Sequence, residues 1–234
     1  MIAPDALVPN AMRLAEYAHR QRNHRRKAPP GEDRPAYFLH LTEVAWLLMD
    51  SGIRDDESVA AAFLHDIIED CGYDQATLAE AIGNVQVAAL VAAVSETDKS
   101  QSWEDRQQHY RERLAMLNDP VILALSCADK TSNLTDMNRL MAKGHPVGSF
   151  TKRGFDAQQA KFEALDALLG PNARAAVPAV PAGAGGIPGT RPGAGLTRRA
   201  HPFSLPADPS RSYPRHQPAD SGCWSGAAKS AVRP

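Results

Sequence analysis

Apolar positions recur at helical spacing through most of the first 170 residues. Met12, Leu14, Ala15 and Ala18 mark one stripe, and Asn10 before them can cap it, so a first helix is expected to begin there. It runs into basic residues, as the helix dipole favours. Leu41, Val44, Ala45 and Leu48 share one face of a second helix, from about His40 to Asp50, with Gly52 as its stop. A third is expected to open at the caps Asp55 and Asp56 and to continue through Val59, Phe63, Leu64 and Ile67. Asp74 begins a short helix that Gly83 ends. The run Val85 to Val94 fits helix or strand by pattern, and its alanines favour a buried helix. Trp103 to Leu117 reads as a polar, exposed helix. Asn118-Asp119-Pro120 is a strong start signal, with proline at the first helical position. A last helix covers about Phe155 to Leu169 and is expected to stop at Gly170-Pro171. The pattern predicts an all-α fold.

Beyond Gly170 the pattern stops. This stretch holds 11 of the 18 prolines and little periodic apolar sequence. It cannot bury enough surface to offset the entropy of ordering, so residues 171–234 are expected to be a disordered Pro/Gly/Ala-rich tail, and residues 1–170 a single domain. No internal repeat is visible.

Charge follows the same division. Met1 to Gly170 carries 18 Lys and Arg against 25 Asp and Glu, a net of −7, whereas the tail carries 8 against 2, a net of +6. An acidic domain argues against a general nucleic-acid binder. Cys71, Cys127 and Cys223 show no paired spacing, which suits free thiols in a reducing cytoplasm. The start of the chain lacks the basic and apolar regions of a signal peptide, and the longest apolar run is too short for a bilayer. A cytoplasmic protein with no membrane association is the expectation.

The chemistry concentrates in Phe63-Leu64-His65-Asp66-Ile67-Ile68-Glu69-Asp70. On a helix, Asp66 neighbours Glu69 and Asp70, and His65 neighbours Glu69. Clustered carboxylates beside an imidazole repel one another unless a cation lies between them. The alternative is the polar face of an amphipathic helix. Two residues weigh against that. His40 stands among Tyr37, Phe38, Leu39 and Leu41, and Asp129 follows the apolar run Val121 to Ala128. Alone, the first reads as a core histidine and the second as a cap. If their helices converge on His65-Asp66, two imidazoles and two carboxylates form a donor set suited to a divalent ion of the manganese or iron kind.

The order His40, His65-Asp66, Asp129 resembles the HD superfamily of metal-dependent phosphohydrolases. The extension to Glu69-Asp70 resembles the His-Asp-x-x-Glu-Asp signature of the hydrolase domain in RelA/SpoT-type alarmone enzymes and their small single-domain relatives. Ala18-His19, Arg26-Lys27, Tyr37 before His40, and Asp129 to Leu134 resemble further parts of that family. The likeness covers about residues 10 to 170. Two departures stand out. Pro29 to Asp33 looks inserted, and Thr131-Ser132 stands where the family usually carries Leu-His.

The resemblance implies a single HD-type helical domain in which His40, His65, Asp66 and Asp129 hold one divalent metal ion, with Mn²⁺ favoured. Glu69 and Asp70 would orient or deprotonate the attacking water. The cationic stretch His19 to Lys27 reads either as a solvated helix end or as a phosphate clamp. On the second reading Arg25, Arg26, Lys27, Lys99 and Lys130 neutralise phosphates, and Asn133 bonds the nucleotide; Trp103 and Arg106 are further candidates beside Lys99. The implied substrate is a small-molecule nucleotide, (p)ppGpp, cut to GDP or GTP and pyrophosphate. No nucleic-acid partner is expected, and an oligomer is allowed. A nucleotidase of the same superfamily would share the four ligands. A nucleotide-binding regulator without turnover would share the fold. Glu69-Asp70, with a basic stretch sized for more than one phosphate, sets the alarmone reading apart from the first, and retention of all four ligands with Glu69 and Asp70 argues against the second. A tail tethering the protein to RNA or membrane is a weaker further possibility.

Overall fold

A computed structural model describes residues 6–96 and 99–176, with side chains to Leu169. The expected disorder of the tail and Cys223 lie outside the described residues. Among those described the fold is helical: α1 Leu7–Gln21, α2 Phe38–Asp50, α3 Asp56–Leu64, α4 Ile67–Cys71, α5 Gln75–Ile82, α6 Val85–Val94, α7 Trp103–Leu117, α8 Pro120–Ala142 and α9 Phe155–Ala176, with a 3₁₀ turn at Val147–Ser149.

The core forms around α3, which packs against α1, α2 and α6. Every residue from Ser58 to Leu64 is buried. The run Ala60-Ala61-Ala62 explains how one helix accepts neighbours on several sides, because methyl groups let backbones approach closely. Leu41, Leu48, Leu78, Leu125, Leu134 and Phe162 close the surrounding layers. Burying one such side chain contributes roughly 1.5–3 kcal/mol. α8 lies across α2 and α9. Its start is fixed by Asp119, whose Oδ1 accepts from Val121 N (2.8 Å) and Ile122 N (3.1 Å) ahead of Pro120.

Four expectations are corrected. α1 begins at Leu7, so Asn10 lies inside it and accepts from Arg13 Nη1 (3.0 Å) instead of capping. Pro9 sits in the first turn, where its missing N–H would have had no helical partner. The third helix is not continuous: α3 ends at Leu64 and α4 starts at Ile67, with His65-Asp66 as a turn between them. α7 is polar but not exposed all round, since Gln107, Tyr110 and Leu114 form a buried stripe. Finally, α9 passes through Gly170-Pro171 to Ala176. Proline deletes one backbone hydrogen bond, and the alanines that follow favour helix.

Candidate functional site

His40 lies in the first turn of α2, His65 and Asp66 in the turn between α3 and α4, and Asp129 midway along α8. The fold brings these four side chains to one point. His65 Nε2 is 3.0 Å from Asp66 Oδ2 and 3.7 Å from Asp129 Oδ1. His40 Nε2 is 3.2 Å from Asp129 Oδ1 and 3.6 Å from Asp66 Oδ2. Donor atoms of His40, His65 and Asp66 all lie within 4.8 Å of one another.

Both imidazoles are held from behind. His65 Nδ1 donates to the Ala62 carbonyl (2.8 Å), which can only accept. His40 Nδ1 meets Ser132 Oγ (2.9 Å), and Ser132 donates to Glu43 Oε2 (2.7 Å), so the histidine nitrogen must be the donor. In the neutral ring that puts each lone pair on Nε2, facing the carboxylates. Both Nε2 atoms are buried without a hydrogen-bond partner among the described residues. Ser132 stands where the resembled family usually has histidine, and its hydroxyl completes this support.

The electrostatics demand positive charge here. Burial favours neutral carboxyls, yet Asp66 and Asp129 are held well below the usual carboxylate range, the first by the two histidines and the second by Lys130 and the same imidazoles. Burial disfavours protonated His65, but the charges of Asp66 and Asp129 raise its pKa well above the ordinary value. Either a proton on the imidazole or a divalent cation supplies that charge. Orphaned buried nitrogens beside two ionised carboxylates fit the cation.

Glu69 and Asp70 flank this point on α4. Burial, then Asp66 and Glu96, push the Glu69 pKa up to about 7. Burial and Asp66 also raise that of Asp70, against His24 and Lys99. Both residues line a cleft of about 320 Å³ that includes Asp66 and Asp129.

The basic residues divide. Arg25, Arg26, Lys27, Lys130 and Asn133 line this cleft. Lys99 does not; it is exposed on a neighbouring cleft, donating to the Glu69 carbonyl (2.8 Å) and lying 3.6 Å from Asp70 Oδ1. Lys130 is buried, donates to Asp129 Oδ2 (2.7 Å) and sits over the Tyr110 ring at 4.8 Å. Arg26 is buried too, bonding Asp136 Oδ2 and Asn133 Oδ1, each at 3.1 Å, while Asn133 donates to Asp129 Oδ1 (2.6 Å). Lys130 and Asn133 hold Asp129, and Arg26 braces Asn133 and Asp136, whereas Arg25 and Lys27 are exposed at the mouth of the cleft. The inserted loop does not displace this edge: Glu32 pairs with Lys143 (2.7 Å) and His145 (3.1 Å), and Arg26 N donates to the Pro35 carbonyl (3.0 Å).

Sequence reasoning missed a ring stack behind Asp66. Tyr37 donates its hydroxyl to Asp66 Oδ2 (2.6 Å), His24 stacks on Tyr37 at 3.7 Å, and buried His19 stacks on both. Burial drives the His19 pKa down to about 4, against the pull of Asp66. Glu96, on the far side of Glu69, was also missed. Nothing in its local sequence separates it from a surface glutamate.

An HD-domain family model matches residues 11–148, and the chain belongs to that family. It is 34% identical over 128 residues to the zebrafish (Danio rerio) guanosine-3′,5′-bis(diphosphate) 3′-pyrophosphohydrolase MESH1, covering 54% of this chain and 68% of that protein. It is 34% identical over 123 residues to the Vibrio cholerae enzyme of the same activity, covering 49% of this chain and 17% of that one. The chain thus spans about a sixth of the length of the first bacterial relatives it matches. A solved structure of a metazoan ortholog of SpoT that hydrolyzes ppGpp superposes with a TM-score of 0.59 at 25% identity, over 76% of this chain and 90% of that one.

Proposed function

We propose that this chain removes pyrophosphate from the 3′ position of guanosine 3′,5′-bis(diphosphate), with His40, His65, Asp66 and Asp129 holding one divalent ion, Mn²⁺ by preference. The observation that carries the reading is the pair of unpartnered imidazole nitrogens facing two carboxylates, with Glu69 beside them at a pKa of about 7. A divalent ion held by that donor set would supply an acidified water and polarisation of a phosphoryl oxygen. Glu69, its pKa raised by burial, Asp66 and Glu96, accepts the proton of the attacking water, and Asp70 shares in orienting it. Lys27 and Arg25 meet the phosphates at the cleft mouth. Lys130 keeps Asp129 ionised, and Asn133, braced by Arg26, aims it. The relatives with this named activity support the substrate class. Cys71 and Cys127 are free thiols, which suits a cytoplasmic setting, and no described helix is long and apolar enough to cross a membrane.

The test is turnover of a nucleotide panel that includes ppGpp and nucleoside monophosphates, by Mn²⁺-loaded protein, with product identification. GDP and pyrophosphate are expected from ppGpp, with loss of bound metal in Asp66→Ala. Release of orthophosphate from monophosphates alone would replace this reading with a nucleotidase.

A further inference from the structure

α4 is a helix of five residues that carries both Glu69 and Asp70. So short a helix has too few internal hydrogen bonds to hold itself. The carboxylates in and beside it, Asp66, Glu69 and Asp70, also repel one another. Its place must therefore be fixed from outside. Ile67 and Cys71 anchor one side in the core. The last carbonyls of a helix have no partner within it, and here two of them meet cations from elsewhere in the chain. Lys99 Nζ donates to the Glu69 carbonyl (2.8 Å), and Arg22 Nη2 donates to the Cys71 carbonyl (2.8 Å). Positive charge at this end also suits the helix dipole.

The Arg22 bond is prepared at both ends. α1 closes with His24 N donating to the His19 carbonyl (2.9 Å) and Asn23 N to the Arg20 carbonyl (2.9 Å). Asn23 takes the left-handed conformation that such a closure needs, at φ 48°. That turn sends the Arg22 side chain across to α4. Opposite it stands Gly72, at φ +82°, where a Cβ would lie 2.9 Å from Arg22 Nη2. Glycine thus serves twice, by allowing the left-handed stop of α4 and by leaving room for the guanidinium. The same turn brings His24 Nδ1 only to 3.8 Å from Asp70 Oδ2, beyond a good hydrogen bond. Arg22 belongs to the cationic stretch but does not line the metal-side cleft, so a phosphate contact does not account for it.

We infer that Arg22 is a positioning residue: its bond to the Cys71 carbonyl, over a glycine, holds α4 so that Glu69 and Asp70 face the metal side. The inference rests on the roles proposed for those two carboxylates. Arg22 touches neither the metal ligands nor the cleft, so its loss acts on the chemical step through the placement of α4 and leaves binding almost unchanged.

The experiment measures kcat and KM for ppGpp, bound metal and melting temperature in Mn²⁺-loaded Arg22→Ala, Gly72→Ala and the double variant. Arg22 is exposed, so its truncation leaves the core intact. In Gly72→Ala the new methyl group pushes away the end of a flexible side chain. Each single change is expected to lower kcat about 10- to 100-fold, the usual cost of a small misplacement at a reacting centre. KM and metal content should stay within about 3-fold of wild type. Because both changes break one contact, the double variant should match the slower single variant within about 3-fold. A kcat within about 3-fold of wild type in Arg22→Ala, whatever its melting temperature, overturns the inference. A rise in KM alone, or losses that multiply in the double variant, overturn it too. If wild type does not cut ppGpp, the proposed function fails by itself, and the tie is judged by amide hydrogen exchange over residues 67–72. Exchange at least about 10-fold faster in Arg22→Ala supports the tie, and a smaller change overturns it.

Discussion

Replacing Glu69 by glutamine removes a proton acceptor while keeping the side chain's size and most of its hydrogen bonding. The structure gives the magnitude. With a pKa of about 7, the carboxylate is about one-tenth ionised at pH 6 and about one-hundredth at pH 5. If the ionised form takes the proton of the attacking water, kcat/KM falls about tenfold per pH unit on the acid side. A bound cation near Asp66 favours the carboxylate, so it moves this limb to lower pH without changing its slope. Glu69→Gln should lose the limb and lower kcat by about 10²- to 10⁴-fold, the usual worth of general base help. The assay is kcat and kcat/KM from pH 5 to 9, beside metal content and nucleotide affinity, for Glu69→Gln and Asp70→Asn. Both variants are expected to keep metal and nucleotide. Unchanged kcat in the two, or an acid limb that survives in Glu69→Gln, refutes the role. Loss of metal would instead make one of these carboxylates a ligand.

Ser132→Ala frees His40 Nδ1 from its hydroxyl partner, and metal affinity, read by competition with a chelating dye, should drop roughly 10- to 100-fold; an unchanged affinity would show that the ring needs no such support. In metal-free protein, ionising Glu69 opposes folding, because its pKa is raised above that of the unfolded chain. Its stabilising contribution is therefore present below about pH 4.5 and is lost as pH rises through about 7. Relative to wild type, Glu69→Gln should gain about 2–3 kcal/mol between pH 5 and pH 8 in urea melts, and parallel profiles would contradict the raised pKa. A chain ending at Ala176 should keep its melting temperature and turnover, since the sequence beyond has little to pack with. A drop of more than about 5 °C on that truncation would show that the removed residues pack on the domain.

Most helices were legible in the sequence because single residues mark their ends. Asp74 and Gly83, and Asp119-Pro120, each bound an element as expected. The misplaced ends are those where the marker was weak or misleading, such as Asn10 inside the first helix and Gly170-Pro171 inside the last. Convergence of His40 and Asp129 on His65-Asp66 rested on polar residues in apolar runs and on the family resemblance, since nothing local reports which helices cross. The stack of His19, His24 and Tyr37 depends on the Arg25–Ala36 bridge, which brings the basic loop back against the start of α2, and no periodicity encodes a contact of that kind.

The break at His65-Asp66 shows why pattern alone misjudges a site of this sort. The apolar stripe continues through Ile67, so the periodicity reads as one helix. The dihedrals hardly leave helical space, with His65 at φ −55°, ψ −30° and Asp66 at φ −98°, ψ 0°. The hydrogen-bonding ladder is interrupted all the same. Ser95 Oγ donates mainly to Val91 O (2.7 Å), with the His65 carbonyl a marginal acceptor at 3.5 Å, while Asp66 O still accepts from Asp70 N (2.9 Å) and starts α4. In an unbroken helix Asp66 would sit a hundred degrees round from His65 and face another side. At the turn its carboxylate instead comes within 3.0 Å of the adjacent imidazole. Neighbouring residues can then offer donors to one cation, which a regular helix allows only to residues three or four apart. The small irregularity that sequence periodicity cannot see is thus the feature that brings the His-Asp pair onto a common centre.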